Sequence, residues 1–113
     1  MRLSIATTGR YEPTCFDHTG QEEASRPCVE YKLLTGEQVE AIQSSRDNDA
    51  WARIWKSQVT RLSDVVFEID GVEKQVPLRD IPDLPGTYLL IYEVSNHILS
   101  ESILGRDAKK KLP

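Results

Sequence analysis

The sequence of 113 residues has only two cysteines, Cys15 and Cys28, and two histidines. Two cysteines cannot supply the disulfide framework of a small secreted domain, so we expect two free thiols in a reducing compartment. A structural zinc site needs four closely spaced ligands. Cys15 and His18 have a Cys-x-x-His spacing, but the other histidine, His97, is far away in the chain. We therefore predict no metal and no cofactor.

Long apolar runs are also absent. The longest, Tyr88 to Tyr92, has five residues, whereas a membrane span needs about 20. Residues 1–16 contain no apolar stretch of the length that a signal peptide requires. We therefore predict a cytoplasmic protein that does not contact a membrane. With 14 Lys+Arg against 18 Asp+Glu, the net charge of -4 argues against nucleic-acid binding through phosphate neutralisation.

Catalytic motifs are missing as well. The six glycines are scattered as turn and cap residues are, with no phosphate-binding loop among them. No serine or cysteine lies in a nucleophile elbow. His97 is interpreted as a helix-face residue, because no partner for a general base is placed beside it in the sequence. We predict that the protein is not an enzyme and has no catalytic residues.

The remaining pattern predicts one small α+β domain covering residues 1–113. Alternating apolar residues indicate N-terminal strands at Leu3 to Thr7 and at 11–16, interrupted at Gly9, and a clearer strand over 28–33. Polar composition predicts an exposed loop at 17–27 and a flexible tail at 106–113.

Two to three amphipathic helices are predicted, over about 36–44, 48–65 and 86–104. Thr35 and Gln38 have the spacing of a capping box at the start of the first helix. Apolar residues at steps of three and four extend the second helix to about 65. After it, Asp70-Gly71 predicts a type I′ turn in a short hairpin around 66–78.

Aromatic and apolar residues on two of these helices are candidates for binding a protein partner. Trp51 and Trp55 lie four residues apart and therefore share a helix face, which favours either a core position or an anchor on a partner. The 88–92 run covers more than one face of its helix, so part of it is expected at the surface. The candidate set is Trp51, Trp55, Tyr88, Tyr92 and Leu99.

The order of these features resembles that of bacteriophage tail assembly chaperones. The segment 31–40, YKLLTGEQVE, is similar to the strand that enters a helix through a Leu-Thr-Gly turn in that family. Phe67 to Gly71, FEIDG, resembles the aspartate-glycine turn that follows a helix. Ile81 to Leu84, IPDL, followed by the helix 88–102 and a short charged tail, resembles the end of the family's chains. The resemblance covers about residues 26–112, and residues 1–25 fall outside it.

The resemblance implies a non-enzymatic chaperone in the cytosol of an infected bacterium or one carrying a prophage. Such proteins bind the tape-measure protein during tail morphogenesis and help to recruit tail-tube subunits. Two alternatives stay open: a virion structural or tail-completion protein, and a small cytosolic protein-binding regulatory module. A homo-oligomer also stays open.

Overall fold

A computed structural model describes residues 2–15, 26–45 and 49–104. The predicted tail at 106–113, and all but the last two residues of the predicted loop at 17–27, lie outside these ranges. The described residues combine helices with antiparallel strands, which confirms the predicted α+β class. In chain order the elements are β1 (Thr8–Tyr11), β2 (Cys28–Lys32), α1 (Gly36–Ser44), α2 (Ala50–Gln58), β3 (Val59–Ser63), β4 (Phe67–Ile69), β5 (Val72–Lys74), a 3-10 helix (Leu78–Asp83) and α3 (Tyr88–Leu104).

The larger sheet has β2 in the middle, with β1 and β3 antiparallel on its two sides. The β2–β3 pairing shifts its register between Glu30 and Tyr31. β4 and β5 form a separate hairpin. At its turn, Asp70 and Gly71 both have positive φ, at 52° and 80°, as a type I′ turn requires. The predicted hairpin is therefore confirmed.

Within residues 2–15, the N-terminal segment forms one strand where two were predicted. β1 runs through Gly9, the residue expected to interrupt the strands, while Leu3 and Ile5 lie outside any strand and are mostly exposed. A Cβ added to Gly9 would lie 2.6 Å from two ring carbons and the hydroxyl oxygen of Tyr31. Glycine occurs inside this strand because the aromatic ring of the paired residue covers its backbone.

The first helix occurs where it was predicted. Gln38 N donates to Thr35 Oγ1 at 3.2 Å and Thr35 N donates to Gln38 Oε1 at 2.9 Å, which completes the capping box. The second helix is shorter than the predicted 48–65. It ends at Gln58, and the β-branched Val59 and Thr60 begin β3 instead. The spacing of apolar residues favours a helix beyond Gln58. These residues form β3 instead, because pairing with β2 satisfies the backbone hydrogen-bonding groups of both strands.

α3 lies at the centre of the fold. Its buried face packs on α2 and on the sheet. Ser95 Oγ donates to Trp51 O at 2.8 Å, and Leu34 N donates to Ser102 Oγ at 2.9 Å, so hydrogen bonds tie the helix at two points. The core around it contains Val29, Tyr31, Leu34, Ile54, Trp55, Val59, Ile81, Leu90, Ile91, Val94 and Ile98. Helices of the described ranges do not reach the length and apolar content that a bilayer crossing requires.

A 3-10 helix, Leu78–Asp83, fills the segment between the predicted hairpin and α3. Pro82 lies inside it, which a short 3-10 turn tolerates more easily than a long α-helix does. Thr87 Oγ1 then donates to the carbonyl oxygens of Ile81 and Leu84, both at 2.9 Å. These bonds hold the chain at the start of α3, two residues later than predicted.

Candidate interaction site: an aromatic surface and a groove along α3

The first turns of α3 present large apolar side chains to solvent. Tyr88 and Leu89 are each 67% exposed and Tyr92 is 41% exposed. The rings of Tyr88 and Tyr92 are stacked with centroids 6.2 Å apart. The half-buried Trp51 of α2 meets Tyr92 edge-on, with centroids 5.2 Å apart. We call Trp51, Tyr88, Leu89 and Tyr92 the aromatic surface.

This surface follows from the composition of the helix. In the 88–92 run, only Leu90 and Ile91 point into the core, where each is about 5% exposed or less. A helix that is apolar on every side can bury only the faces that meet another element. The other residues of the run are therefore left at the surface, where their contacts with one another keep the rings in place.

One turn further along α3, Glu93 binds the N-terminal arm, residues 11–15. Tyr11 Oη donates to Glu93 Oε2 at 2.5 Å, Thr14 N and Oγ1 donate to the same oxygen at 2.6 and 3.0 Å, and Cys15 N donates to Oε1 at 2.8 Å. Burial alone would raise the pKa of Glu93, but these hydrogen bonds outweigh it and hold the pKa below its usual value. The carboxylate thus fixes the arm across the helix.

The same contact changes the acidity of its donors. Burial, together with the hydrogen bond to Glu93, raises the pKa of Tyr11 to about 12. Burial and the nearby Glu93 carboxylate also raise the pKa of the Cys15 thiol. The raised pKa values favour the neutral phenol of Tyr11 and the neutral thiol of Cys15. Neither group then carries a negative charge that would repel the Glu93 carboxylate, on which the binding of the arm depends.

A second carboxylate lies two turns away. Glu101 is 5% exposed. It accepts a hydrogen bond from Tyr31 Oη at 2.5 Å, and its Oε2 lies 3.0 Å from His97 Nε2. The His97 ring stacks on Tyr11, with centroids 4.0 Å apart and planes inclined by 19°. It also meets Tyr31 edge-on. His97 therefore links β1 and β2 to α3.

A groove of about 360 Å³ connects these features. Its α3 wall carries Leu89 and Tyr92 from the aromatic surface, followed by Asn96 and Ser100, and its other wall is the arm with Thr14 and Cys15. We call it the α3 groove. The lining mixes aromatic side chains, among them Tyr92, Tyr11 and His97, with polar ones. The groove therefore suits a partner segment that has both apolar and hydrogen-bonding groups.

The structure divides the five predicted partner-binding residues. Tyr88 and Tyr92 are exposed and Trp51 is half-buried beside them. Trp55 is fully buried and its Nε1 donates to Leu78 O at 2.7 Å, so it belongs to the core and cannot contact a partner. Leu99 is half-buried and packs against the core.

His97 has the carboxylate neighbours that the sequence interpretation did not assign to it. Glu93 and Glu101 stand four residues before and four residues after it, and the i, i+4 spacing on a helix was the available signal. The tyrosine partners could not be found in this way, because they come from β1 and β2. Each carboxylate accepts from the protein's own donors, which indicates a structural use of both.

Neither cysteine forms a disulfide. Both are free thiols in the structure, Cys15 at the surface and Cys28 buried. The Sγ of Cys28 accepts from Arg10 Nε at 2.6 Å. Over residues 2–15, 26–45 and 49–104, no cluster of three or more His, Cys, Asp or Glu side chains could hold a metal ion. His18, of the Cys-x-x-His spacing, lies outside the described residues.

The fold and the aromatic surface together define a small α+β protein with an exposed apolar face at the start of α3. Comparison with models of known families, with curated proteins and with solved structures found no match.

Proposed function

We propose that this protein is a non-enzymatic bacteriophage tail assembly chaperone that binds the tape-measure protein in the host cytosol. The observation that carries the proposal is the aromatic surface, on which Tyr88, Leu89 and Tyr92 are held in the open at the start of α3. The order of sequence features that resembles this family adds to it. Tail-tube subunits are the proposed second partner.

The chemistry of the aromatic surface supports a protein partner. Tyrosine and tryptophan are enriched among the residues that dominate binding energy, because each buries a large area at a small cost in conformational entropy. Contact between the rings of Trp51 and Tyr92, and of Tyr92 and Tyr88, reduces that cost further. An amphipathic helix, as expected along a tape-measure protein, would lay its apolar side on these rings.

The arm supports the same proposal. Glu93 holds residues 11–15 beside the aromatic surface through four hydrogen bonds. A wall that is ordered before binding does not have to be ordered by the partner, so more of the contact energy contributes to affinity. The α3 groove then provides the polar neighbours that fix the orientation of the bound segment.

Co-expression with the tape-measure protein of the same phage or prophage tests the proposal. The wild-type chain should keep that protein soluble and purify with it. The double variant Tyr88→Ser/Tyr92→Ser should lose the complex, because truncation of two central aromatic residues typically costs about 2 kcal/mol or more each. Val72→Ser is the matched control, since Val72 is also an exposed apolar residue but lies on the separate hairpin.

Two results would contradict the proposal. In one, no complex forms and each protein is soluble alone. In the other, the double variant binds as well as the Val72→Ser control, which would exclude the aromatic surface as the contact. Stable presence of the chain in purified virions would favour the virion-structural alternative, because a chaperone leaves before the particle is complete.

A further inference from the structure

We infer that the free chain pairs with a second copy of itself through the solvent side of α3, with the two helices antiparallel and crossing at Asn96. The solvent side of a surface helix is ordinarily polar. On α3 this side is mainly apolar over the whole length of the helix. The residues that follow one another along it are Leu89, Tyr92, Asn96, Leu99 and Ile103, and we call them the α3 stripe.

The spacing of the α3 stripe is that of a seam between two helices. Its members follow one another at steps of three, four, three and four residues, the heptad spacing that keeps one line of side chains facing a partner helix. Leu89 and Ile103 are exposed and Leu99 is half-buried, so apolar area is open at both ends of the stripe. Because α3 is already held by the core, the partner does not have to induce the helix, and a seam of two heptads is sufficient.

Asn96 identifies the partner as a second copy. It is exposed and stands at the midpoint of the stripe, seven residues after Leu89 and seven before Ile103. A purely apolar partner helix would bury the amide of Asn96 without a hydrogen-bonding partner, which is unfavourable. In an antiparallel pair of identical helices the middle residue lies on the two-fold axis, so each Asn96 amide donates to the other. A single asparagine in an apolar seam fixes register and oligomeric state in the same way in coiled coils.

The charges on and beside the stripe permit this contact. No member of the stripe is charged, so two copies of a chain with a net charge of -4 do not bring like charges together in the seam. The neighbouring Glu93 carboxylate is turned to the arm, where it accepts four hydrogen bonds. The antiparallel arrangement also opposes the two helix dipoles.

Pairing covers part of the aromatic surface, because Leu89 and Tyr92 belong to both sets. One chain therefore cannot bind a second copy and the tape-measure protein through α3 at the same time. While the tape-measure protein is absent, pairing keeps the apolar side of α3 out of water. The pairing itself does not rest on the proposed function and is measured on the isolated chain.

Sedimentation velocity of the full chain tests the pairing. The wild type should show a reversible monomer–dimer equilibrium between about 1 μM and about 1 mM. Asn96→Asp and Asn96→Lys should each be monomeric alone, because two like charges then meet at the crossing point. An equal mixture of the two variants should form a heterodimer at least about tenfold more tightly than either variant pairs with itself, and less tightly as salt is added.

The self-facing position of Asn96 is what the mixture detects. Because Asn96 is exposed, both variants should keep the fold, which circular dichroism verifies. Val72→Asp and Val72→Lys are the matched controls, since Val72 is exposed on the separate hairpin. Each control should pair with itself as the wild type does.

A wild-type chain that stays monomeric over this concentration range would overturn the inference. So would a dimer that persists in both Asn96 variants, or a mixture of the two variants that stays monomeric, because the contact would then not be centred on Asn96. Co-expression with the tape-measure protein reports on the proposed function separately. That complex can fail to form while the isolated chain still pairs, so the two failures are distinguishable.

Discussion

Glu93 holds the N-terminal arm against α3, so replacing it perturbs one defined contact. Glu93→Ala removes the acceptor of four hydrogen bonds from three residues of the arm. A hydrogen bond to a charged group contributes about 1.5–3 kcal/mol. All four hydrogen bonds share one half-buried carboxylate, and in the variant the donors of the arm can bind water instead. We therefore expect the free energy of unfolding to fall by about 2–3 kcal/mol in total. In a domain of this size that lowers Tm by roughly 10–15 °C.

The pH dependence of stability gives an independent check on the same carboxylate. The pKa of Glu93 is held below its usual value in the folded chain. Its contribution to the free energy of unfolding is therefore fully present above the unfolded pKa of about 4.3, and it is lost as the pH falls through the lower folded pKa. Glu93→Gln removes the charge but keeps the shape of the side chain. The decrease in stability that Glu93 causes at acidic pH should therefore be absent from this variant.

Thermal unfolding followed by circular dichroism measures the loss, and amide hydrogen exchange at residues 11–15 locates it. Glu40→Ala is the matched control, because Glu40 is an exposed glutamate on α1, and such changes stay within about 0.5 kcal/mol. The reasoning is refuted if Glu93→Ala unfolds like this control and leaves exchange in the arm unchanged.

Two further predictions concern the same side of the molecule. Gly9→Ala should destabilise the fold by about 1–3 kcal/mol in urea unfolding, because the new Cβ meets the Tyr31 ring. Gly36→Ala is the control, because a Cβ at Gly36 has open space. Equal effects of the two substitutions would contradict the close approach of Tyr31 to Gly9. The pKa of Tyr11 is about 12, so its neutral phenol stabilises the fold fully below the unfolded pKa of about 10. That contribution should be lost as the pH rises toward 12 in the wild type, and Tyr11→Phe should not show this loss.

Local signals in the sequence predicted the elements that depend on neighbouring residues alone. The capping box at Thr35 and Gln38, and the Asp70-Gly71 turn, each need only three or four residues to form, so their pattern is sufficient. The exposed part of the 88–92 run could also be predicted. A helix that is apolar on every side leaves some of its apolar surface uncovered by the rest of the fold.

Other features depend on residues distant in the chain and could not be predicted. The helical spacing of apolar residues continues through β3. These residues form a strand instead because they pair with β2, which lies about 30 residues earlier in the chain. Gly9 belongs to a strand because Tyr31 covers it. The spacing of Glu93, His97 and Glu101 was readable on the helix, but the tyrosines that complete their contacts come from two different strands.

The central claim is that the aromatic surface of α3 contacts the tape-measure protein. A photo-reactive amino acid in place of Leu89, which is 67% exposed beside Tyr88 and Tyr92, tests it most directly in the co-expressed pair. Illumination should give a covalent adduct with the tape-measure protein from position 89 and none from the control position Val72 on the hairpin. No adduct from position 89, or equal adducts from both positions, would contradict the claim.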